Sequence, residues 1–233
     1  MSSIGDRMLA LLEGLHADDL DLPEDVIALD PMHGANAREV RRIVRTFHDR
    51  FYADNAPRHL LLGINPGRLG AGTTGLAFTD TKRCESDLGI PVKGVRTHEP
   101  SSDMFYRFIR DAGGPERVYG RIYVSSLLPL GLARKGDNGT LLNLNYYDRK
   151  DVQEKVSPFI TGWLHRLVEQ GALTDKVFCL GKGKNAAFLQ QWNREHHLFG
   201  RVVPLEHPRY IMQYKARELD SYVLKYREAL DPR

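Results

Sequence analysis

Four short apolar runs, separated by longer stretches with helical period, constrain the fold of this chain more than any other feature. Runs of this length between amphipathic helices are typical of strands buried on both faces of a parallel sheet. The pattern predicts an α/β fold, a three-layer α/β/α sandwich with a central four-stranded parallel sheet. The predicted strands are His59–Ile64, Arg121–Ser126, Lys176–Leu180 and Arg201–Leu205.

Three apolar stripes with spacings of three and four residues predict helices between and after these strands. They consist of Val40, Ile43, Val44, Phe47 and Phe51, then Val152, Val156, Phe159, Ile160, Trp163, Leu164 and Leu167, and finally Leu219, Tyr222, Val223 and Tyr226. A length of 233 residues suits a single domain. We expect one domain over residues 1–233, with a helical N-terminal segment of about residues 1–55 packed on it.

Composition narrows the class of ligand. A net charge of +3 permits an anionic partner without demonstrating one. Apolar runs stay well short of the ~20 residues that span a bilayer, so we expect no membrane association. The two cysteines lie far apart, and the nine histidines lack the spacing of metal ligands. The sequence therefore predicts neither a metal nor another cofactor, and it favours a monomer.

The loop after the first predicted strand is rich in glycine and holds an amide and an aromatic ring. Ligands of parallel sheets bind beyond the carboxyl ends of the strands. Glycines let the backbone approach a ligand, Asn65 can orient a water molecule, and an aromatic face can stack on a base. The spacing differs from that of nucleotide-binding loops. The candidate base-binding residues here are Gly63, Ile64, Pro66, Gly67, Thr74, Gly75 and Phe78.

Two further strand ends carry weaker signals. Ser125 and Ser126 end the second strand, where hydroxyls can read the edge of a ligand, although serines there are more often turn formers. Lys182 and Lys184 precede a predicted helix after the third strand, where backbone N–H groups favour an anion.

The segment after the fourth strand combines a histidine with apolar residues and cations. His207 is followed by Arg209, Tyr210, Ile211, Met212 and Lys215. Such a mixture suits a loop that inserts into a base stack while it contacts phosphates. The alternative, that Tyr210 and Ile211 pack under the C-terminal helix, is nearly as well supported for either residue.

Together, these motifs resemble the uracil-DNA glycosylase superfamily. Within it, the chain is similar to the single-strand-selective monofunctional uracil-DNA glycosylases, in particular to a bacterial branch that departs from the animal enzymes. The string from Gly63 to Gly67, with Thr74-Gly75 and Phe78, matches that family's water-activating loop. His207-Pro208 separates it from the mismatch-specific branch, which has Asn-Pro there. The resemblance spans roughly Leu61 to Lys215.

The resemblance implies a catalytic role for Asn65 and His207. Asn65 would position the attacking water, since a neutral amide has little basicity, and His207 would donate a hydrogen bond to the departing base. Phe78 would stack on a base flipped out of single- or double-stranded DNA. The reaction would be monofunctional hydrolysis that leaves an abasic site, in the cytosol of a bacterium at its nucleoid.

One departure from the family concerns the end of the second strand. The family has an asparagine that reads the uracil edge, and this chain has Ser126, or alternatively Ser125, at that position. A hydroxyl reads an edge less strictly than an amide. The pocket is therefore expected to accept xanthine or hypoxanthine as well as uracil.

Two functions from other classes stay open. A module that binds lesions without catalysis is disfavoured because Asn65 and His207 are both present. A hydrolase of free nucleosides or nucleotides would not need a segment that is both apolar and cationic after His207. Lys184 keeps a Schiff-base route open, and Asp80 is interpreted as a helix cap rather than as a catalytic acid.

Overall fold

The computed structural model describes residues 2–136 and 138–230. Two short 3₁₀ turns, Ala17–Asp19 and Ala216–Glu218, supplement the α-helices. The helices are α1 (Ile4–Glu13), α2 (Ala37–Phe51), α3 (Ala71–Thr74), α4 (Thr81–Ser86), α5 (Pro100–Asp111), α6 (Pro115–Tyr119), α7 (Lys150–Glu169), α8 (Lys184–His196), α9 (Pro208–Tyr214) and α10 (Leu219–Leu230).

The strands form two sheets. They are β1 (Val26–Leu29), β2 (Arg58–Gly63), β3 (Ile122–Ser126), β4 (Gly131–Lys135), β5 (Leu141–Leu144), β6 (Ala172–Leu180) and β7 (Val202–Leu205). The central sheet has the order β3-β2-β6-β7, and its neighbouring strands are all parallel. Helices flank this sheet, which confirms the predicted α/β fold with a four-stranded parallel sheet.

The predicted strand limits hold to within one residue except in β6. That strand begins at Ala172, four positions before the predicted start at Lys176. Its first half contains the exposed residues Thr174 and Asp175, so it lacks the apolar signal that marks the buried second half. The pairing of β2 with β6 also shifts register between Arg58 and Leu60.

A small antiparallel sheet was absent from the sequence prediction. It has the order β1-β4-β5, and β4 and β5 form a hairpin. The N-terminal segment of about residues 1–55, expected to be helical, contains β1 in addition to α1 and α2. Strands of four or five residues give too few alternations to be recognised from sequence. The end of β5 reaches the candidate site described below.

The three predicted apolar stripes lie on helices, as expected. In α2, Val40, Ile43 and Val44 are buried, and in α10, Val223 and Tyr226 are buried. In α7, the stripe includes a fully buried Trp163. Its indole Nε1–H donates to the carbonyl oxygen of Ser126 at 3.2 Å, which fixes the end of β3 at the edge of the sheet. None of the helices among the described residues is long and apolar enough to cross a membrane.

Candidate active site

A cavity of about 40 Å³ lies at the carboxyl edge of the central sheet. The ends of β2 and β3, the glycine-rich loop, the start of α5 and the junction between β7 and α9 all contribute to it. The carboxyl ends of the parallel strands meet at this edge, and the structure brings Asn65, Phe78, Ser126 and His207 together there. The lining residues are Ile64, Asn65, Pro66, Gly67, Ala71, Ala77, Phe78, Glu99, Ser101, Ser126 and His207.

Asn65 is held in place by the backbone that follows β5. Its Oδ1 accepts the N–H of Tyr146 at 3.1 Å, and its Nδ2 donates to the carbonyl oxygen of Leu144 at 3.0 Å. These bonds fix the orientation of the amide and leave one N–H and one lone pair for a ligand. Asn65 can therefore orient a water molecule.

A buried amide supports this arrangement from behind. Asn185 is 1% exposed, and its Nδ2 donates to the carbonyl oxygen of Leu180 at 3.0 Å. Its Oδ1 accepts the hydroxyl of Tyr146 at 2.8 Å. Because the backbone N–H of Tyr146 holds Asn65, the end of β6 is linked to the catalytic candidate through two polar groups. This link gives no signal in the sequence, since its bonded residues are 39 and 81 positions apart.

Phe78 adopts a left-handed backbone conformation, with φ of 55°. This conformation is uncommon for a residue other than glycine and is concentrated at functional sites. The ring centroid lies 5.2 Å from that of Phe105 and 5.5 Å from that of His207. A Cβ atom at Gly63 would lie only 2.7 Å from Cζ of Phe78, so glycine is needed there for the ring to approach the strand. Gly63 thus serves the site indirectly.

His207 caps α9 and is a neutral hydrogen-bond donor at neutral pH. Its Nδ1 accepts the backbone N–H of Arg209 at 3.1 Å, which places the ring hydrogen on Nε2. Burial, together with the nearby charge of Arg209, lowers the pKa of His207 to about 4. A neutral imidazole with Nε2–H can stabilise a developing negative charge on an oxygen atom.

The structure distinguishes between the two serines at the end of β3. Ser126 lines the cavity, and its Oγ would lie 3.3 Å from a Cβ at Gly63. Ser125 does not line it and borders only a neighbouring cavity of about 60 Å³ beside Phe47, which Ser126 also lines. Successive side chains of a strand point to opposite faces, so only one of the two serines reaches the first cavity. Of the two, only Ser126 is placed to contact a base.

Two residues predicted from sequence to bind the base make contacts that shape the loop. Thr74 is fully buried, and its Oγ1 donates to the carbonyl oxygen of Thr79 at 2.6 Å. Gly75 has a φ of 74° and lies against α2, where a Cβ would be 2.6 Å from a methyl carbon of Val44. Neither lines the cavity. Motif matching does not separate residues that shape a loop from residues that face a ligand, so base binding by Thr74 and Gly75 stays a prediction.

The segment after His207 has an exposed and a buried face. Arg209 is exposed, and Tyr210 is 45% exposed with its ring 5.4 Å from that of the exposed Tyr214. Ile211 is fully buried and Met212 half-buried. The full burial of Ile211 agrees with its packing alternative rather than with contact to DNA, because a helix turns successive residues to different faces.

The predicted lysines differ in their availability to DNA. Lys182 pairs with Glu206 at 2.9 Å, and Lys215 pairs with Glu218 at 2.9 Å. The ammonium of Lys184 lies 5.8 Å from the ring centroid of Tyr147, at the start of α8. Lys184 does not line the cavity, so it is a candidate for phosphate contact rather than for a Schiff base.

Two features of this region were missed from the sequence. Leu69 is 46% exposed in the glycine-rich loop, between two residues that line the cavity, Gly67 and Ala71. Glu99 is half-buried and places its carboxylate in the cavity wall. A lone leucine and a lone glutamate outside any motif give no signal in sequence.

Asp80 acts as a cap, in agreement with its interpretation from sequence. Its Oδ1 accepts the N–H of Arg83 at 2.8 Å at the start of α4. Its Oδ2 accepts the N–H of Glu99 at 2.7 Å and the hydroxyl of Ser102 at 2.6 Å at the start of α5. This one buried carboxylate thereby joins the beginnings of two helices next to the cavity.

Away from the cavity, His16, Asp30 and His33 come within 4.8 Å of one another. The Asp30 carboxylate already accepts the Nδ1–H of His33 at 3.0 Å and the N–H of Ala17 at 3.2 Å. The two imidazole rings lie 4.1 Å apart, centroid to centroid. None of the three lines the cavity, so the cluster takes no part in its chemistry.

Comparison with known proteins places the chain in a family. The model of the uracil DNA glycosylase superfamily matches residues 50–231. The crystal structure of wild-type Pedobacter heparinus SMUG2 superposes with a TM-score of 0.94 at 39% sequence identity, covering 98% of this chain and 97% of that one. A search of curated proteins finds no match. The chain belongs to the uracil-DNA glycosylase superfamily and is a DNA glycosylase, a hydrolase of base-excision repair.

Proposed function

We propose that this glycosylase removes uracil, together with xanthine or hypoxanthine, from single- and double-stranded DNA by monofunctional hydrolysis. The observation that carries the proposal is that Asn65, Phe78 and His207 line one cavity. Their groups fit three steps of such a reaction: orienting water, stacking on a base and stabilising negative charge.

The base enters the cavity after it leaves the helical stack, because its glycosidic bond is inaccessible inside duplex DNA. It stacks on Phe78. The ring of Phe78 packs against Phe105 and occupies the space that a side chain at Gly63 would fill. As the glycosidic bond breaks, negative charge develops on the base, and the Nε2–H of His207 stabilises it. Asn65 orients the water that captures the sugar cation.

Ser126 supports a broad range of bases. Its hydroxyl is shorter than the asparagine amide that the family has at this strand end, and it lines the same cavity as Phe78. A rotatable hydroxyl donates or accepts according to its partner, so it discriminates less between a pyrimidine and a purine edge.

Arg209, Lys184 and Tyr210 are proposed to contact the DNA outside the cavity. Cations at exposed positions suit phosphate contacts, whose strength falls as the salt concentration rises. Tyr210 is proposed to fill the gap that a flipped nucleotide leaves in the stack. A monomer that acts in the bacterial cytosol stays a prediction.

The direct test is to identify the products. The protein is incubated with oligonucleotides that carry a single uracil, xanthine or hypoxanthine, in single- and double-stranded form, and the reaction is analysed by mass spectrometry. The proposal expects the free base and an intact strand with one abasic site. Binding without a released base would favour the lesion-binding module, and base release from free nucleosides alone would favour the nucleoside hydrolase.

A further inference from the structure

The carboxylate of Glu99 lines the same cavity as Asn65 and His207. Glu99 directly precedes α5, and its backbone is held on both sides. Its N–H donates to Oδ2 of Asp80 at 2.7 Å, and its carbonyl oxygen accepts the N–H of Ser102 at 2.9 Å. The side chain therefore leaves a fixed point of the backbone toward the cavity.

The side chain lies directly against the glycine-rich loop. A Cβ at Gly67 would be 2.8 Å from Oε1 of Glu99, and a Cβ at Gly70 would clash severely with Oε2. The absence of side chains at Gly67 and Gly70 thus makes room for this carboxylate. The carboxylate thus lies against the backbone of Gly67, two residues beyond Asn65, the proposed water-orienting residue.

Hydrolysis needs a group that accepts a proton from the attacking water, and none of the residues assigned so far does this. The water oxygen bonds to C1′ of the sugar, the bond from C1′ to the base nitrogen breaks with its electron pair staying on the base, and a water proton must be accepted. Asn65 is a neutral amide. His207 cannot accept the proton, because its Nδ1 already holds the N–H of Arg209 and its Nε2 carries a hydrogen.

We infer that Glu99 is the general base that accepts the proton of the attacking water, a role that rests on the proposed function. The excised nucleobase departs as an anion that is protonated by solvent. Glu99 returns the proton that it took from the water to solvent after the attack. Of the lining residues in the described part of the chain, Glu99 is the one with a carboxylate. Its negative charge also stabilises the sugar cation electrostatically.

The surroundings of the carboxylate suit this role. Burial raises the pKa of Glu99, and the charge of Asp80 acts in the same direction, whereas the hydrogen bond from Ser101 and the charge of Arg209 oppose it. The facing titratable and charged groups are thus Asp80, Arg209 and His207, the last neutral down to a pH of about 4. A carboxylate with a raised pKa is a stronger proton acceptor than one free in water.

The test is Glu99→Gln, which keeps the size of the side chain and removes its basicity. We expect the single-turnover rate on uracil-containing DNA to fall by about 10²- to 10⁴-fold, while DNA affinity and melting temperature change little. The wild-type rate should decline with acidification as Glu99 takes up a proton, and the variant should lack this decline. Glu85→Gln is the matched control, because Glu85 pairs with the exposed Arg96 and does not line the cavity.

A second variant distinguishes a general-base role of Glu99 from a role in which its side chain only holds the loop. Formate added to Glu99→Ala should restore part of the rate, because a small carboxylate can occupy the vacated space. Two results would overturn the role of Glu99. One is a single-turnover rate of Glu99→Gln within about threefold of wild type, and the other is a slow Glu99→Gln whose rate still declines on acidification as that of the wild type does. Failure of the wild-type protein to excise any base would instead overturn the proposed function itself, so the two failures are distinguishable.

Discussion

The two sides of the cavity are held by different forces. The loop wall, residues 64–71, is fixed by hydrogen bonds between Asn65 and the backbone at the end of β5. The helix wall, residues 207–214, is fixed mainly by packing of the buried Pro208 and Ile211. On its outer face the helix wall exposes Arg209 and Tyr210.

This difference assigns separate tasks to the two walls. Hydrogen bonds to fixed backbone define the orientation of a small polar group, which positioning a water molecule requires. A helix with one buried and one exposed face can keep His207 in the cavity while it presents other side chains to DNA. We therefore expect substitutions in the loop wall to change the rate of the chemical step. Substitutions on the outer face of the helix wall should change the interaction with DNA.

Asn65→Ala should have the largest effect. We expect the single-turnover rate to fall by about 10²-fold or more with little change in DNA affinity, because water positioning acts on the transition state. Quenched-flow excision assays and a binding titration with the same oligonucleotide measure both quantities. A loss of affinity equal to the loss of rate would contradict the division between the walls.

His207→Ala should come next, because it removes the donor to the departing base. The expected loss is about 10²-fold in the chemical step, and it should be larger for a base that leaves less readily. Since the pKa of His207 is about 4, the wild-type histidine keeps its charge state from neutral pH down to that value. A histidine step near the ordinary value of about 6.5 in the rate profile of Glu99→Gln, which lacks the decline caused by Glu99, would show that the neutral donor is wrong.

Ile211→Ala and Tyr210→Ala separate packing from DNA contact within α9. Ile211 is fully buried, so its truncation should destabilise the protein by about 2–5 kcal/mol and lower the melting temperature. Tyr210 is 45% exposed, so its truncation should leave the melting temperature unchanged and slow excision from paired DNA more than from single strands. Equal slowing on both substrates would exclude Tyr210 as the residue that fills the gap left by the flipped nucleotide. Leu69→Ala then tests the same role for the exposed leucine of the loop wall.

Ser126→Asn should have the smallest effect, a change in substrate ratio. The amide offers a pyrimidine edge both a donor and an acceptor, so we expect uracil excision to gain relative to xanthine excision. Ser125→Asn is the matched control, because Ser125 does not line this cavity. An unchanged ratio of the two rates in Ser126→Asn would exclude Ser126 from base recognition.

The parts of the site that could be predicted from sequence are those carried by contiguous segments. Asn65 and His207 each lie just beyond the end of a strand, and the rule for parallel sheets placed both at one edge. The choice between Ser125 and Ser126 needed the strand limits, since a shift of one residue reverses the face.

The remaining parts depend on contacts between distant segments. The bond between Tyr146 and Asn185, and the approach of Glu99 to Gly67, join residues that no local pattern relates. They also depend on the small antiparallel sheet, whose short strands gave no periodic signal. A single sequence does not contain the relative placement of β5 and β2, so the support of Asn65 became visible only in three dimensions.

We expect this cavity to cut the glycosidic bond with the side chains of the chain alone. The most direct measurement is excision from a labelled single-stranded oligonucleotide with one uracil, in the presence of a metal chelator, followed by alkali. We predict cleavage of the strand at the uracil by the wild-type protein, and a large loss of cleavage in Asn65→Ala and His207→Ala. Cleavage that requires a divalent ion, or that persists at the wild-type rate in both variants, would contradict the account.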